Sequence, residues 1–183
     1  ISLQCLSFES IHTHKCFYMT LLTLNANTYE PIDYTNRSVV KAVIKNTAGK
    51  ILLLSSGLVG GGVENGETDE QALMREIIEE TGMEITIIKP IGQVIAYRDF
   101  LKQKYSTNGY LCEYVQTTST PTTIDSDELK MKLFWEYPSE SIDRLEKEIQ
   151  ELENKDRESY NDDTYQRKLY NRKTALAFIK EIL

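Results

Sequence analysis

The sequence is poor in cysteine, histidine and proline, has no long apolar run and carries no excess of positive charge. Three cysteines in 183 residues, Cys5, Cys16 and Cys112, are too few and too scattered for a disulfide framework, which points to a reducing cytoplasm. No apolar stretch approaches the ~20 residues that span a bilayer, so no membrane partner is expected. Lys and Arg number 21 against 28 Asp and Glu, a net charge of −7 that argues against bulk binding to nucleic acid or an anionic surface. Both histidines, His12 and His14, precede Met19. Beyond that point a Ser-His or Cys-His nucleophile lacks its base, and Cys112 reads as a buried packing residue. Catalysis then rests on carboxylates, lysines, tyrosines or a metal.

What is present is an ordinary globular composition, 40% hydrophobic and 27% charged, at a length that suits one domain with a sizeable core. Residues 1–18 read as a non-native leader, translated upstream sequence or an expression leftover, with Met19 as the natural start. A metal site from His12, His14 and Cys16 and a signal peptide through Leu24 are the weaker alternatives. Strands are predicted over 38–45 and 51–54, joined as a hairpin by Asn46–Gly49. Further strands are predicted over 84–88, 91–97, 110–117 and 130–135, with 98–108 as a polar connection. From Pro138 the pattern becomes helical. Ile142, Leu145, Ile149 and Leu152 form one apolar stripe, and Tyr165, Leu169, Leu176, Ile179 and Leu183 form a second. The domain is expected over 19–137, with 138–183 as a helical extension packing on it. A lid or a dimer arm is the alternative for that extension.

Six of the nine glycines lie between Gly57 and Gly82, beside a dense run of carboxylates. A helix over 68–81 is predicted, with Thr68 and Gln71 as a capping box, Asp69 and Glu70 at the positive end of its dipole, and Gly82 as a left-handed cap. At 3.6 residues per turn Glu76, Glu79 and Glu80 share an arc of roughly 100°, and Leu73, Met74, Ile77 and Ile78 fill the neighbouring one. Crowded carboxylates repel, and a divalent cation removes that repulsion. Oxygen ligands without Cys or His select Mg²⁺ first and Mn²⁺ second, and Mg²⁺ favours substrate phosphates as further ligands. The glycine run lets backbone approach ion and phosphate closely.

Gly61, Glu67, Arg75, Glu76, Ile77, Glu79, Glu80, Gly82 and Met83 resemble, at every spacing, the nine fixed positions of the Nudix box. With the hairpin before it and the Trp135 strand after it, the likeness to the MutT-like Nudix hydrolases extends over roughly residues 36–137. The resemblance implies an α/β/α sandwich around a central mixed sheet, with the C-terminal helices added. It implies hydrolysis of a pyrophosphate bond in a nucleoside diphosphate linked to another moiety: a nucleoside triphosphate, ADP-ribose or a nucleotide sugar. Glu76, Glu79, Glu80 and the carbonyl of Gly61 match the metal ligands, Glu76 and Glu79 also taking catalytic roles. Glu67 and Arg75 match the pair that orients loop and helix. Glu128 is the expected general base, with Asp125, Asp127 and Glu113 as competitors. Arg37, Arg98 and Lys102 are candidates for substrate phosphate or surface charge, and Tyr97, Phe100 and Tyr105 for base stacking. The family also accommodates a homodimer. A non-catalytic nucleotide-sensing module and an interaction protein built on the C-terminal helices are the rival functions.

Overall fold

The computed structural model describes residues 18–25, 33–122, 132–154 and 162–183. Six strands form one mixed sheet: β1 (Thr20–Leu24), β2 (Thr35–Lys45), β3 (Ile51–Leu54), β4 (Met83–Arg98), β5 (Gln103–Thr117) and β6 (Leu133–Glu136). Their spatial order is β1-β4-β5-β2-β3-β6. β1 runs parallel to β4 and β5 parallel to β2, and the other neighbours are antiparallel. The helices are α1 (Asp69–Thr81), α2 (Pro138–Asn154) and α3 (Asp162–Glu181). Among the described residues no helix is long and apolar enough to cross a membrane.

Strand alternation splits the core in two. Successive residues of β2 point to opposite faces, so Val40, Ala42 and Ile44 join one cluster with Leu73 and Ile77 of α1. Val43 joins the other with Leu145 of α2 and Ala175, Phe178 and Ile179 of α3. The chain is thus an α/β/α sandwich, α1 on one face and α2 with α3 on the other. α3 sits close because two glycines make room. A Cβ at Gly109 would stand 2.7 Å from the Phe178 ring, and one at Gly57 would stand 3.4 Å from the Asn171 carbonyl. Arg172 ties the helix down further, donating to the carbonyls of Ser55 (3.3 Å) and Ser56 (3.4 Å) while pairing with Glu148 of α2 at 3.0 Å. Arg144 joins Glu148 (2.7 Å) to Glu136 of β6 (3.1 Å), so α2 is stitched to the sheet edge as well.

Several elements differ from their sequence patterns. The two strands expected on either side of Pro90 are one strand, β4, with register shifts at Ile87/Lys89 and Pro90/Gly92. Proline has no N–H for the ladder, and the strand absorbs it by bulging. The connection expected over 98–108 is shorter. A 3-10 turn, Asp99–Leu101, and Lys102 suffice, and Gln103–Asn108 belong to β5. Thr20–Leu24, read as part of a weak apolar segment, form an edge strand. Tyr18, assigned to the leader, packs against the α1-side core and bonds to Asp69 at 3.0 Å. Ile78 is 39% exposed and Leu183 78% exposed, so neither serves the apolar stripe drawn for it, whereas Phe178 and Ala175 do.

Candidate active site

α1 begins and ends as its sequence dictates. Thr68 and Gln71 make the reciprocal capping box, and Gly82 closes the helix with φ 68°. A polar knot fixes the N-terminal end. Tyr18 (3.0 Å), Tyr110 (3.1 Å) and Asn108 (2.7 Å) all donate to Oδ2 of Asp69. The hydroxyls of Tyr18 and Tyr110 also touch each other, and burial pushes the Tyr110 phenol far above its ordinary range. At the other end Thr122 donates its N–H to the Glu79 carbonyl at 2.9 Å.

Arg75 organises the carboxylates. Its Nε and Nη2 grip Glu67 at 2.7 and 2.9 Å, a two-pronged pair. Nη2 also donates to the Gly62 carbonyl at 2.9 Å. Nη1 reaches Glu76 at 2.7 Å and Glu79, four residues on, at 3.3 Å. The Arg75 hydrogen bonds, helped by the Glu64 amide, lower the Glu67 carboxyl to about 2. Glu80 is held from the loop side, where the Gly60 amide donates to its Oε2 at 2.8 Å.

Among the described residues no three His, Cys, Asp or Glu side chains are gathered closely enough to hold an ion. The carboxylates are instead drawn onto Arg75 and Gly60. The surroundings nonetheless fit a hard divalent cation. A Cβ at Gly61 would lie 2.4 Å from all three carboxyl atoms of Glu76, so only glycine leaves the space above that carboxylate open. The donors are oxygen throughout, and a cationic guanidinium already bridges Glu76 and Glu79.

The next glycine meets the opposite charge. A Cβ at Gly62 would stand 3.4 Å from Nη2 of Arg37. Arg37 lies where a cavity of about 290 Å³ on the α3 face adjoins a wider groove of about 670 Å³ that reaches Glu76. In the cavity Arg37 and Arg98 both lie over the Tyr105 ring, at 5.9 and 5.2 Å, and Arg98 donates to the Tyr105 hydroxyl at 3.1 Å. The two arginines singled out from sequence are therefore neighbours here, although 61 positions apart. Lys41 lines the same cavity, its ammonium bonded to the carbonyls of Leu58 and Gly60. α3 closes it with Arg167, Asn171 and Thr174.

Other candidates are placed elsewhere. Glu113 lines a separate hollow with Lys45 and Tyr114. Phe100 is 72% exposed, and Tyr97 packs edge-on against Tyr34 at 5.0 Å. Lys102 is outside the lining of the cavity. Glu128, Asp125, Asp127, His12, His14 and Cys16 lie outside the described residues. Cys112 is fully buried, and burial pushes its thiol up to about 12, so it stays protonated. Sequence reasoning missed Lys41, Arg167, Asn171 and Thr174. The first had a signal, since Arg37, Val39 and Lys41 recur at the strand period of two. The last three share a helical face, but nothing in the sequence aims that face at the sheet.

The NUDIX domain family matches residues 35–160. An uncharacterized Nudix hydrolase of Nostoc sp., all7351, is 29% identical over 125 residues, 61% of this chain and 70% of its own. A nucleoside triphosphatase of Enterobacter sp., NudI, is 38% identical over 85 residues, and the match spans 40% of this chain and 57% of that relative. The solution structure of the E. coli ORF135 protein aligns with 62% of this chain and 83% of its own at 25% identity and a TM-score of 0.48. The family match runs through well over half of the chain and takes in both the glycine loop and the carboxylate helix, and on that ground the chain belongs to the Nudix family, an enzyme of the pyrophosphatase type.

Proposed function

We propose that the chain hydrolyses a pyrophosphate bond in a nucleoside diphosphate linked to a further group, with Mg²⁺, or Mn²⁺ in its place, held by Glu76, Glu79, Glu80 and the Gly61 carbonyl. The observation that carries this reading is the stack of Glu76 beneath Gly61, with Arg75 bridging Glu76 to Glu79. A bound divalent ion supplies charge neutralisation on the phosphoryl oxygens and a lowered pKa for the attacking water.

The chain's own residues do the rest. Arg75 orients Glu76 and Glu79 from one side, and the Gly60 amide orients Glu80 from the other. The water oxygen bonds to phosphorus, the bridging P–O bond breaks toward the leaving phosphate, and a carboxylate takes the water proton. Glu128 is the base expected from the family likeness. Glu79 is the described carboxylate best disposed to share that task, being 45% exposed and making the longest contact with Arg75. The cationic cavity beside the glycine loop suits the phosphates and the group beyond them. Nucleoside triphosphates stand first among the substrates to try, because a relative bears the name nucleoside triphosphatase.

The test is a screen for released phosphate and pyrophosphate over nucleoside triphosphates, ADP-ribose and nucleotide sugars, with Mg²⁺ or Mn²⁺ and a Glu79→Gln control. Turnover that disappears in the control supports the proposal. Nucleotide binding without turnover on any member of the panel overturns it in favour of a sensing module.

A further inference from the structure

We infer that α3 converts the cavity beside the glycine loop into a phosphate subsite, with Arg167 as a specificity residue, so that the preferred substrate carries a phosphate charge there rather than a neutral sugar. This rests on the hydrolase reading above and names its substrate class.

Among the described residues four cations line the cavity, Arg37 and Lys41 from β2, Arg98 from the end of β4 and Arg167 from α3, and no carboxylate does. Like charges sharing a concave, partly desolvated space repel until an anion enters. Every described arginine outside the cavity is matched: Arg75, Arg144 and Arg172 each pair with glutamate. Among the described residues Arg37, Lys41 and Arg167 have no carboxylate partner. The cavity thus gathers guanidiniums without carboxylate partners next to Gly61 and Gly62.

Stacking does not explain the cavity. The one aromatic among its described lining residues, Tyr105, already lies beneath two guanidiniums. The ring serves to hold Arg37 and Arg98 in position, and planar guanidiniums recognise phosphate oxygens in pairs. The α3 wall is equally well fixed. Arg167, Asn171 and Thr174 recur at helical spacing, Asn171 rests on Gly57, and the adjacent Arg172 is bonded to Ser55 and Ser56. The family match ends at residue 160 and α3 begins at Asp162, so the residues of this wall lie outside the matched stretch.

Two measurements on the full chain test the inference. The first needs no turnover: inorganic tripolyphosphate is titrated calorimetrically in EDTA against wild type, Arg167→Gln and Arg167→Lys. Loss of one charge-assisted contact is expected to weaken binding about 10-fold in the glutamine variant, and less in the lysine variant. Asn171→Asp places a carboxylate in the cavity and is expected to weaken binding at least as much. Glutamine and aspartate variants that melt like wild type and bind within twofold of it overturn the inference, whatever the enzyme hydrolyses. The second compares substrates. Arg167→Gln is expected to raise KM for a nucleoside triphosphate at least about fivefold more than for a nucleotide sugar, with kcat for the triphosphate little changed. Equal shifts in the two KM values overturn the inference while leaving the hydrolase reading intact. Failure of every substrate overturns the hydrolase reading and leaves the tripolyphosphate result to stand alone.

Discussion

The two faces of the sheet follow opposite electrostatic plans. On the α1 face the charges are settled internally. Arg75 alone engages three glutamates and a carbonyl, and Glu80 has the Gly60 amide. On the α3 face a cluster of cations surrounds a cavity with no acid among its described lining residues. Only the glycine loop separates them, and adjacent residues of that loop meet the two signs, Gly61 facing Glu76 and Gly62 facing Arg37. The difference suits the two sides to different ligands. On the proposed reading the carboxylate cluster would exchange the guanidinium for a metal ion, and the cationic pocket would take an anion. A substrate that carries phosphates together with a bound metal would supply both.

The largest expected effect tests the acidic side. Glu79→Gln keeps the shape of the side chain, removes its charge, and is expected to lower the rate about 10²–10⁴-fold. Phosphate release at saturating substrate checks this, with the melting curve as a control for folding. Activity above about a tenth of wild type assigns the proton transfer elsewhere, and Glu128→Gln is then the variant to measure.

The loop between the faces offers a sharper pair. Gly60→Ala requires φ +122° and puts a Cβ 2.3 Å from the Val40 carbonyl oxygen, a backbone atom that cannot yield. It is expected to destabilise the fold by about 2–3 kcal/mol, read as a fall in the denaturant midpoint. In Gly61→Ala the three atoms nearest the new Cβ all belong to the far end of the Glu76 side chain. The carboxylate can swing away, so stability should hold while activity falls about 10-fold or more. If both variants lose stability alike, Gly61 is a structural glycine, and the contrast between the faces fails at its boundary.

The α1 face was legible because its information is local. Capping box, carboxylate arc and left-handed cap all lie within Glu67–Gly82, and helical geometry alone brings Arg75 to Glu79. The α3 face draws on residues from Arg37 to Thr174 and depends on tertiary packing. The misread strand shows the reason. Gln103–Asn108 looked like a connection because it is polar, yet Tyr105 and Thr107 are polar because they face the cavity, and Asn108 because it holds Asp69. Local pattern fails where an interior strand carries polar groups that line a cavity or make tertiary hydrogen bonds. The stripe of α3 failed for a different reason. Phe178 is buried because Gly109 leaves a notch opposite it, and no helical periodicity reveals a notch in another element.

Replacing the central cation gives a smaller effect with a diagnostic dependence. Arg75→Gln leaves Glu67, Glu76 and Glu79 without their common partner. Because Arg75 remains about a quarter exposed and solvent screens its pairs, the cost in metal-free buffer is about 1 kcal/mol, a fall of about 2–4 °C in melting temperature. Millimolar Mg²⁺ should narrow the gap, since the ion takes over the neutralisation. A gap that stays the same with and without Mg²⁺ shows that the guanidinium holds the loop and does not stand in for the ion.

The smallest expected effect separates the faces by acid. Arg75 holds the Glu67 carboxyl at about 2, against an ordinary value of 4.5, so between those values the folded chain binds fewer protons than the unfolded one. Its stabilisation is complete above about pH 4.5 and drains away as pH falls toward 2. Glu67→Gln lacks that charge at every pH. Its melting temperature should lie slightly below wild type at neutral pH, and the two curves should converge on acidification. Arg167→Gln, from a cavity with no carboxylate among its described lining residues, should keep a constant offset over the same range. Convergence in the Arg167 variant would reveal an acidic partner for that arginine and remove the asymmetry between the two faces.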